Sequence, residues 1–226
     1  FAYLLNETLS TLHGIPQDAD IEKRQIAQDI LSSHKDLFEI LFFMPNGDAY
    51  IHEPYSRQQA LSRTNFAFRE YFQGAIRTND TYLGNVVNST AFGTRIAMIA
   101  VPVYSLKDNS TLAGVWAGGL DFDTLNEELQ SLNLTAGERV VYVDSNGSKI
   151  ADSDANNTNP QESFANLTSF KNAIMNGQSG STIETIGDAK MIVTYQPVNV
   201  FNNTWAVLFM EQQPSTLPSN QTISSE

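Results

Sequence analysis

The sequence predicts an α+β fold of two tandem modules, each an antiparallel sheet with helices packed on it, behind a long N-terminal helix. The main observation is an internal repeat, because a hairpin, a short helix and three strands occur twice in the same order. A repeat of whole elements is stronger evidence than any single motif. The second observation is size, since 226 residues, 41% of them hydrophobic, suffice for two domains of about 100 residues.

Residues 1–36 have a helical pattern. Leucines at positions 4, 5, 9 and 12 form one apolar stripe, and a second stripe starts at Ile26 behind an acidic stretch. Gly14 and Pro16 interrupt the pattern between the two stripes. We therefore expect an N-terminal helical segment that lies along both modules.

Each copy of the repeat opens with a predicted hairpin. In the first copy, the strands LFEILFFM and AYIHEP flank a turn at residues 45–48 that contains Asn-Gly, a strong hairpin signal. In the second copy, ERVVYVD and KIAD flank a similar turn at residues 145–148. His52 and Tyr55, which follow the first hairpin, are expected in a surface loop.

The match continues beyond the hairpins. YFQGAI at residues 71–76 is similar to SFKNAI at 169–174, and three strands follow each of these short helices. Between the copies, Thr124-Leu-Asn-Glu127 has the form of a capping box and predicts a connecting helix through Leu132. These patterns place the first module at 37–133, the second at 134–212 and a polar linker at 213–226.

The composition argues against several classes of function. A net charge of −12 disfavours binding to nucleic acid or to anionic lipid. The chain has no cysteine and no histidine pair with metal-ligand spacing, so neither a metal nor a cofactor is expected. No nucleophile–base, zinc-protease or phosphate-loop motif occurs, which predicts that the chain is not an enzyme. No run of 18 apolar residues is present, and we interpret the chain as a fragment of a longer protein.

Potential glycosylation sites are dense in the chain. The ten N-x-S/T triplets begin at Asn6, Asn79, Asn88, Asn109, Asn133, Asn146, Asn156, Asn166, Asn202 and Asn220. Asn, Ser and Thr also meet by chance in loops, so the density only favours a glycosylated cell-surface domain. A surface protein without disulfides is typical of many archaea.

The segment 65–125 carries a recognisable pattern on a helix and two later strands. Its residues are Arg69, Tyr71, Phe72 and Ala75, then Val101-Pro102-Val103-Tyr104, then Gly114-Val115 with Asp121 and Leu125. This pattern resembles the double Cache sensor domain, an extracellular PAS-like module of membrane histidine kinases and chemoreceptors. The weaker second copy is similar to the membrane-proximal module of that family.

The resemblance implies a ligand-binding membrane-distal module and a proximal module that transmits the signal. It also implies flanking transmembrane helices, a homodimer in the intact receptor and an extracytoplasmic location. Lys171 is aligned here with Arg69, no acid in the second copy matches Asp121 closely, and the proximal module is expected to be ligand-free. The alternative is a surface-anchored binding or adhesion glycoprotein without signalling output.

The resemblance also implies site residues. In the amino-acid-binding branch of the family, an arginine holds the ligand carboxylate and an aspartate holds its ammonium, and here Arg69 and Asp121 occupy those positions. A concave pocket also needs aromatic walls, for which the candidates are Phe66, Tyr71, Phe72, Tyr82, Tyr104 and Trp116. Each of these aromatic residues, taken alone, is more typical of an ordinary core.

The amino-acid signature of the family is only partly met. Tyr71 and Phe72 stand where the signature has Trp and Tyr, and Thr64 stands where it has Tyr. The expected ligand is therefore a small polar metabolite, which leaves an amino acid, an organic acid, an amine and a purine-like ring open.

Overall fold

Two five-stranded antiparallel sheets form the framework of the computed structural model, which describes residues 13–89, 95–157, 159 and 161–213. The strands are β1 Leu37–Phe43, β2 Ala49–Glu53, β3 Tyr82–Leu83, β4 Val87–Asn88, β5 Arg95–Ile96, β6 Met98–Tyr104, β7 Leu112–Leu120, β8 Glu138–Val143, β9 Lys149–Asp152, β10 Gly180–Ile186, β11 Ala189–Val200 and β12 Asn203–Gln212. The first sheet has the order β2-β1-β7-β6-β3 and the second β10-β11-β12-β8-β9, while β4 and β5 pair separately. The predicted α+β fold with antiparallel sheets is confirmed.

Five helices complete the described fold. They are α1 Ile21–Ser33, α2 Tyr55–Gln59, α3 Glu70–Thr78, α4 Phe122–Gln130 and α5 Thr168–Asn176. Helix α3 covers one face of the first sheet and α5 covers one face of the second. Burying a large apolar side chain in such a core contributes about 1.5–3 kcal/mol. The fully buried residues under these two helices include Phe43, Met98 and Val115 in the first core and Val143, Leu208 and Met210 in the second.

The two copies of the repeat agree in individual backbone hydrogen bonds. The Phe66 N–H donates to the Gly47 carbonyl at 2.8 Å, and the Phe164 N–H donates to the Gly147 carbonyl at 2.8 Å. Both glycines have positive φ values, 86° and 78°, and a Cβ at either would overlap the backbone of the segment that crosses the turn. The Asn-Gly turns thus hold each hairpin against the chain that leads to its helix.

The backbone correspondence corrects one alignment. Arg69 is the N-cap residue of α3, and Leu167 is the N-cap residue of α5. Lys171, aligned above with Arg69, lies one turn into α5 and is equivalent to Gln73. The match of YFQGAI with SFKNAI already pairs Gln73 with Lys171, which agrees with the backbone and not with the alignment of Lys171 with Arg69. An apolar residue therefore occupies the Arg69 position in the second copy.

The N-terminal helix differs in extent from the prediction. Residues 13–20 are not helical, and Gly14 has a φ of 146°, so the predicted break is confirmed. Helix α1 begins at Ile21 and packs against β1 and β2. The helical stripe predicted at residues 4–12 lies outside the described residues.

The connecting helix starts earlier than predicted. Asp121 is the N-cap of α4, and its carboxylate accepts a hydrogen bond from the Asp123 N–H at 2.9 Å. The prediction of a capping box at Thr124 is therefore wrong, because the helix begins before Thr124. The Asp121 carboxylate already accepts a hydrogen bond from an N–H group of the first helical turn. Leu129 of α4 packs with Val140 and Ile150 of the second sheet.

The two sheets meet through polar contacts between the segment at residues 85–86 and the second hairpin. The Val86 N–H donates to Asp144 Oδ2 at 2.8 Å, and Ser145 Oγ donates to Asn85 Oδ1 at 2.6 Å. Asn203 Nδ2 also donates to Asn85 Oδ1, at 3.3 Å. These bonds tie the chain beside α3 to the second sheet.

The acceptor asparagines in the described residues are all exposed. They are Asn79, Asn88, Asn109, Asn133, Asn146, Asn156, Asn166 and Asn202. The expected exposure is confirmed, although Asn88 lies in β4 rather than in a turn; glycosylation itself stays a prediction. Within the part of the chain that the structure describes, no helix is long and apolar enough to span a membrane.

Acid should weaken the second sheet through one charged cluster. Arg139 binds Asp152 and Glu162, each at 2.6 Å. Burial is the largest single effect and works to raise the pKa of both carboxyl groups, but the hydrogen bonds and charge of Arg139 together with the contacts of Lys149 outweigh it and hold each pKa below its usual range. A carboxyl group whose pKa is lower in the folded than in the unfolded state stabilises the protein at pH values above the unfolded-state pKa of about 4. This stabilisation is lost as the pH falls through the folded-state pKa.

We therefore expect the free energy of unfolding, measured by urea titration, to fall below about pH 4. The fall should be less steep in the Asp152→Asn/Glu162→Gln variant, whereas the exposed Asp188→Asn should behave as the wild type. Equal slopes for the wild type and the double variant would contradict the assignment.

Candidate functional site

A small cavity lies at the N-terminal end of α3, between that helix, strands β1 and β2, and the segment 87–89. Its walls include Phe66, Arg69, Tyr71, Glu39 and His52. The volume open to the centre of a water molecule is about 20 Å³, which is room for about one water. The charged groups around so small a space point to a polar occupant.

Arg69 reaches this cavity from the helix cap. Its Nη2 donates to the Asn88 carbonyl at 3.1 Å, and its guanidinium lies 5.0 Å from the centre of the Phe68 ring. Its Nε is buried and has no hydrogen-bond partner among the residues that the structure describes. A buried donor without a partner is costly, and Arg69 is one of the residues that line the cavity.

Glu39 and His52 form a polar wall of the cavity that the sequence analysis did not assign to the site. His52 was expected in a surface loop, but it lies in β2 and is 1% exposed, so that expectation is wrong. Its Nε2 is 2.9 Å from Glu39 Oε2, and Arg57 Nη1 donates to the same oxygen at 3.4 Å. The signal was present in the sequence, because Glu39 interrupts an apolar strand.

Tyr71 stands between the two charged walls. Burial raises the pKa of its hydroxyl, Arg69 works in the opposite direction, and Glu39 raises the pKa further. The hydroxyl therefore stays protonated and can donate a hydrogen bond. Glu39, Arg69 and Tyr71 thus line the same cavity.

Asp121 does not line the cavity that Arg69 lines. Besides capping α4, it borders an open groove of about 470 Å³ together with Phe38, Arg57 and Arg95. The groove and the cavity share Ile96 as a common wall, and Arg57 borders the groove while it binds Glu39. The predicted pair is thus divided between two neighbouring spaces.

The remaining aromatic candidates lie in different places. Phe72 is buried in the first core and Tyr82 packs beside it, with its hydroxyl donating to Glu70. Burial, followed by this hydrogen bond, raises the pKa of Tyr82 to about 12. Trp116 packs on Phe42, with ring centres 4.9 Å apart, in the cluster beside Ile15 and Ile51 on the other face of the sheet.

Tyr104 is half-buried at the end of β6 and borders neither the cavity nor the Asp121 groove. Of the predicted site residues, Phe66, Arg69 and Tyr71 line the cavity, while Phe72 and Tyr82 pack in the same core as Phe66 and Tyr71 without lining it.

A larger open groove of about 570 Å³ runs between α4 and the second hairpin. Lys149 Nζ occupies one wall, bonded to Asp152 at 3.0 Å and to Glu162 at 3.3 Å. The charge of Lys149 is therefore already matched by two carboxylates. Among the described residues, no group of three or more histidine or carboxylate side chains is arranged to hold a metal ion.

Comparison with solved structures shows a shared fold. The extracellular domain of rpHK1S-Z16, a proposed histidine kinase, superposes with a TM-score of 0.69 at 12% identity, covering 93% of this chain and 85% of that one. The ligand-binding domain of the Pseudomonas aeruginosa amino acid chemoreceptor PctB, in complex with L-Arg, gives 0.64 at 16% identity, with coverage of 93% and 85%. That of P. aeruginosa PctC, in complex with GABA, gives 0.62 at 18% identity, with coverage of 93% and 89%.

Sequence comparison assigns the family. No curated protein sequence matches the chain significantly. The family model dCache_1, described as a Cache domain, matches residues 1–217, which is nearly the entire chain. These residues include both sheets, the helix cap at Arg69 and the cavity beside it. The chain therefore belongs to the Cache domain family of ligand-binding sensors.

Proposed function

We propose that this chain is the extracytoplasmic sensing region of a transmembrane histidine kinase or chemoreceptor, and that the cavity at the N-terminal end of α3 is its ligand site. The observation that carries the proposal is the Arg69 Nε–H, which is buried at the cavity without a partner in the described residues. A carboxylate or carbonyl oxygen of a ligand would complete it, since guanidinium donors match such acceptors well.

The proposed ligand is a small polar metabolite with an acidic group. Solved ligand-binding domains that share this fold are in complex with L-Arg, L-leucine, asparagine or GABA, each of which has a carboxylate. Arg69 would hold the acid, the Tyr71 hydroxyl would donate a second hydrogen bond, and Phe66 would pack against the aliphatic part. Organic acids fit this arrangement as well as amino acids do.

Ligand entry would require the cavity to enlarge, because it has room for about one water. The segment 87–89 forms one wall, and Asn88 is already bonded to Arg69. This segment continues directly from Asn85 and Val86, which bind the second hairpin. A ligand that favours an opened wall would thereby bias the contact between the two sheets.

In the intact receptor, we propose that flanking transmembrane helices carry this change across the membrane within a homodimer. The second sheet would act as a relay, with the apolar Leu167 at the position that Arg69 holds in the first copy. The exposed acceptor asparagines fit an extracytoplasmic, glycosylated surface.

A thermal-shift screen tests the ligand site. A compound that binds only the folded state raises the melting temperature. We expect a higher melting temperature with at least one amino acid or organic acid, but not with matched compounds that lack the acidic group. Arg69→Ala should raise the Kd of that ligand roughly tenfold to a hundredfold, because a hydrogen bond to a charged group contributes about 1.5–3 kcal/mol.

Arg63→Ala is the matched control. Arg63 is an exposed arginine that stacks on the same Phe68 ring, 4.8 Å from its centre, without reaching the cavity. Equal affinities of the two variants would refute the site. A fusion of the chain to the signalling region of a histidine kinase tests the output, since ligand-dependent phosphorylation distinguishes a sensor from a surface-binding glycoprotein.

A further inference from the structure

Strand β10 is an edge of the second sheet, and β11 is its only neighbour among the described strands. The two strands are joined by a turn of two residues, and in such a hairpin the pair that closes the turn is hydrogen-bonded. Hydrogen-bonded and non-hydrogen-bonded pairs then alternate along the ladder. The backbone N–H and C=O groups that point away from β11, toward the free edge, are therefore those of Ser181, Ile183 and Thr185.

This free edge of β10 is uncovered. Within the described part of the chain, no hydrogen bond reaches its backbone groups from outside the sheet. The other edges of the two five-stranded sheets are used by the chain itself, because backbone groups of Ala49 in β2, Leu83 in β3 and Asp152 in β9 are hydrogen-bonded to residues outside their own sheet. An uncovered edge is a template on which another strand can pair.

The edge also lacks the features that usually protect such strands, which are outward charges and proline. Glu184 is the single charged residue of β10, whose sequence is GSTIETI. Its carboxylate is turned toward α5, where Oε2 accepts the Thr168 N–H at 2.7 Å and Oε1 accepts the Ser169 N–H at 2.8 Å. On the opposite face of the strand, Ile183 is 62% exposed beside its cross-strand neighbour Ile192. The edge is therefore apolar at its centre.

The surface around β10 is also free of glycosylation signals. No N-x-S/T triplet begins between residues 167 and 201, although ten occur in the chain. This stretch contains α5, β10 and nearly all of β11. A glycan is bulky and would obstruct the approach of another chain, so the surface beside the free edge stays open to a protein partner.

We propose that a second copy of this chain pairs with β10 in antiparallel orientation, with Ile183 of each copy facing Ile183 of the other. Two-fold symmetry brings the same surface of both copies together, and two identical antiparallel strands satisfy it. Ile183 then pairs with its counterpart and Ser181 with Thr185, which gives about six backbone hydrogen bonds. Glu184 faces Thr182 of the other copy, so the two carboxylates are not opposed.

The inference gives the homodimer of the proposed function a contact surface. It does not depend on the ligand site, so pairing is measured without ligand. If a chain binds its ligand through Arg69 but does not pair through β10, the ligand site stands and this inference falls. If pairing through β10 is found and no ligand binds, the reverse holds.

Cysteine cross-linking tests both the pairing and its register, because the chain has no cysteine of its own. The Cα atoms of a hydrogen-bonded pair are about 5.5 Å apart, which suits a disulfide. Under mild oxidation, Ile183→Cys should form a disulfide-linked dimer at least tenfold faster than Thr185→Cys, whose two copies would lie about 14 Å apart. A mixture of Ser181→Cys and Thr185→Cys should cross-link as the heterodimer. Equal rates for Ile183→Cys and Thr185→Cys would overturn the proposal.

Sedimentation equilibrium of the purified chain gives a second measurement. Ile183→Lys should raise the Kd of the wild-type dimer at least tenfold, because two like charges would face each other at the symmetry axis. Ile21→Lys is the matched control, since Ile21 of α1 is 65% exposed on another surface, and it should leave the Kd unchanged. A wild type that stays monomeric, or a Kd that Ile183→Lys does not change, refutes the inference. Slow hydrogen exchange of the Ile183 amide in a monomer would do so too, because another segment of the chain would then cover the edge.

Discussion

Replacing Arg24 with alanine should lower the free energy of unfolding by about 3–5 kcal/mol, because it leaves a buried carboxylate without its partner. Arg24 Nη1 donates to Glu53 at 2.6 Å, and both side chains are 3% exposed. Its Nη2 also donates to the Ile15 carbonyl at 2.8 Å and to Gln58 Oε1 at 3.2 Å. Arg24 thus joins α1, the segment before it and β2 in one network.

The neighbouring Lys23→Ala is the matched control for this measurement. Lys23 binds Asp20 at 2.6 Å, but the two side chains are 32% and 26% exposed, and such partly exposed pairs typically contribute under about 1 kcal/mol. Urea unfolding should separate the two variants clearly. In Arg24→Met/Glu53→Leu only part of the loss should return, because the Ile15 carbonyl keeps the hydrogen bond from Gln58 Nε2 but loses the one from Arg24. Similar losses in Arg24→Ala and Lys23→Ala would contradict this account.

Replacing Asp144 with alanine should cost about 2–3 kcal/mol and should loosen the contact between the two sheets. The side chain is fully buried, and its oxygens accept the N–H groups of Val86, Asn146 and Ser148 at 2.8–2.9 Å. Burial raises the pKa of Asp144 despite these donors. The cost of desolvating the charge therefore offsets part of the hydrogen-bond gain, and the loss should stay below the sum of three separate bonds.

Hydrogen exchange gives the functional readout for Asp144→Ala. Amide protection should fall at Val86, and a ligand that protects the first sheet should no longer change exchange in the second hairpin. Asp154→Ala is the control, since Asp154 accepts the Asn156 N–H at 3.0 Å in an exposed turn. If the ligand-induced change in the second hairpin persists in Asp144→Ala, the contact at Val86 does not connect the two sheets.

The sequence predicted the parts of the site that depend on local pattern. Arg69, Tyr71 and Phe66 lie on or beside one short helix, so their proximity follows from their short separation in the sequence. Trp116 lies away from them because the period of a strand is two residues. Trp116 and Val115 are neighbours in β7, yet Val115 faces the first core and Trp116 faces the opposite side.

The contact between Glu39 and His52 was not predicted from the sequence. One residue belongs to β1 and the other to β2, and their contact depends on the hairpin register, which pairs Leu41 with His52. A bulge between Phe42 and Phe43 shifts this register, and a shift of one residue exchanges the two faces of a strand. The prediction of a surface loop at His52 rested on its polar side chain and did not consider the pairing of β1 with β2.

By itself, the sequence determined the class of fold, the repeat, the two Asn-Gly hairpins and the exposed acceptor asparagines, since each is encoded by local periodicity or turn chemistry. Only the tertiary structure decided which charged groups share a cavity. Register, the cap at Asp121 and the hydrogen bonds of Asp144 join residues far apart in the chain, and the free energy that selects these contacts arises only when their polar groups are buried together.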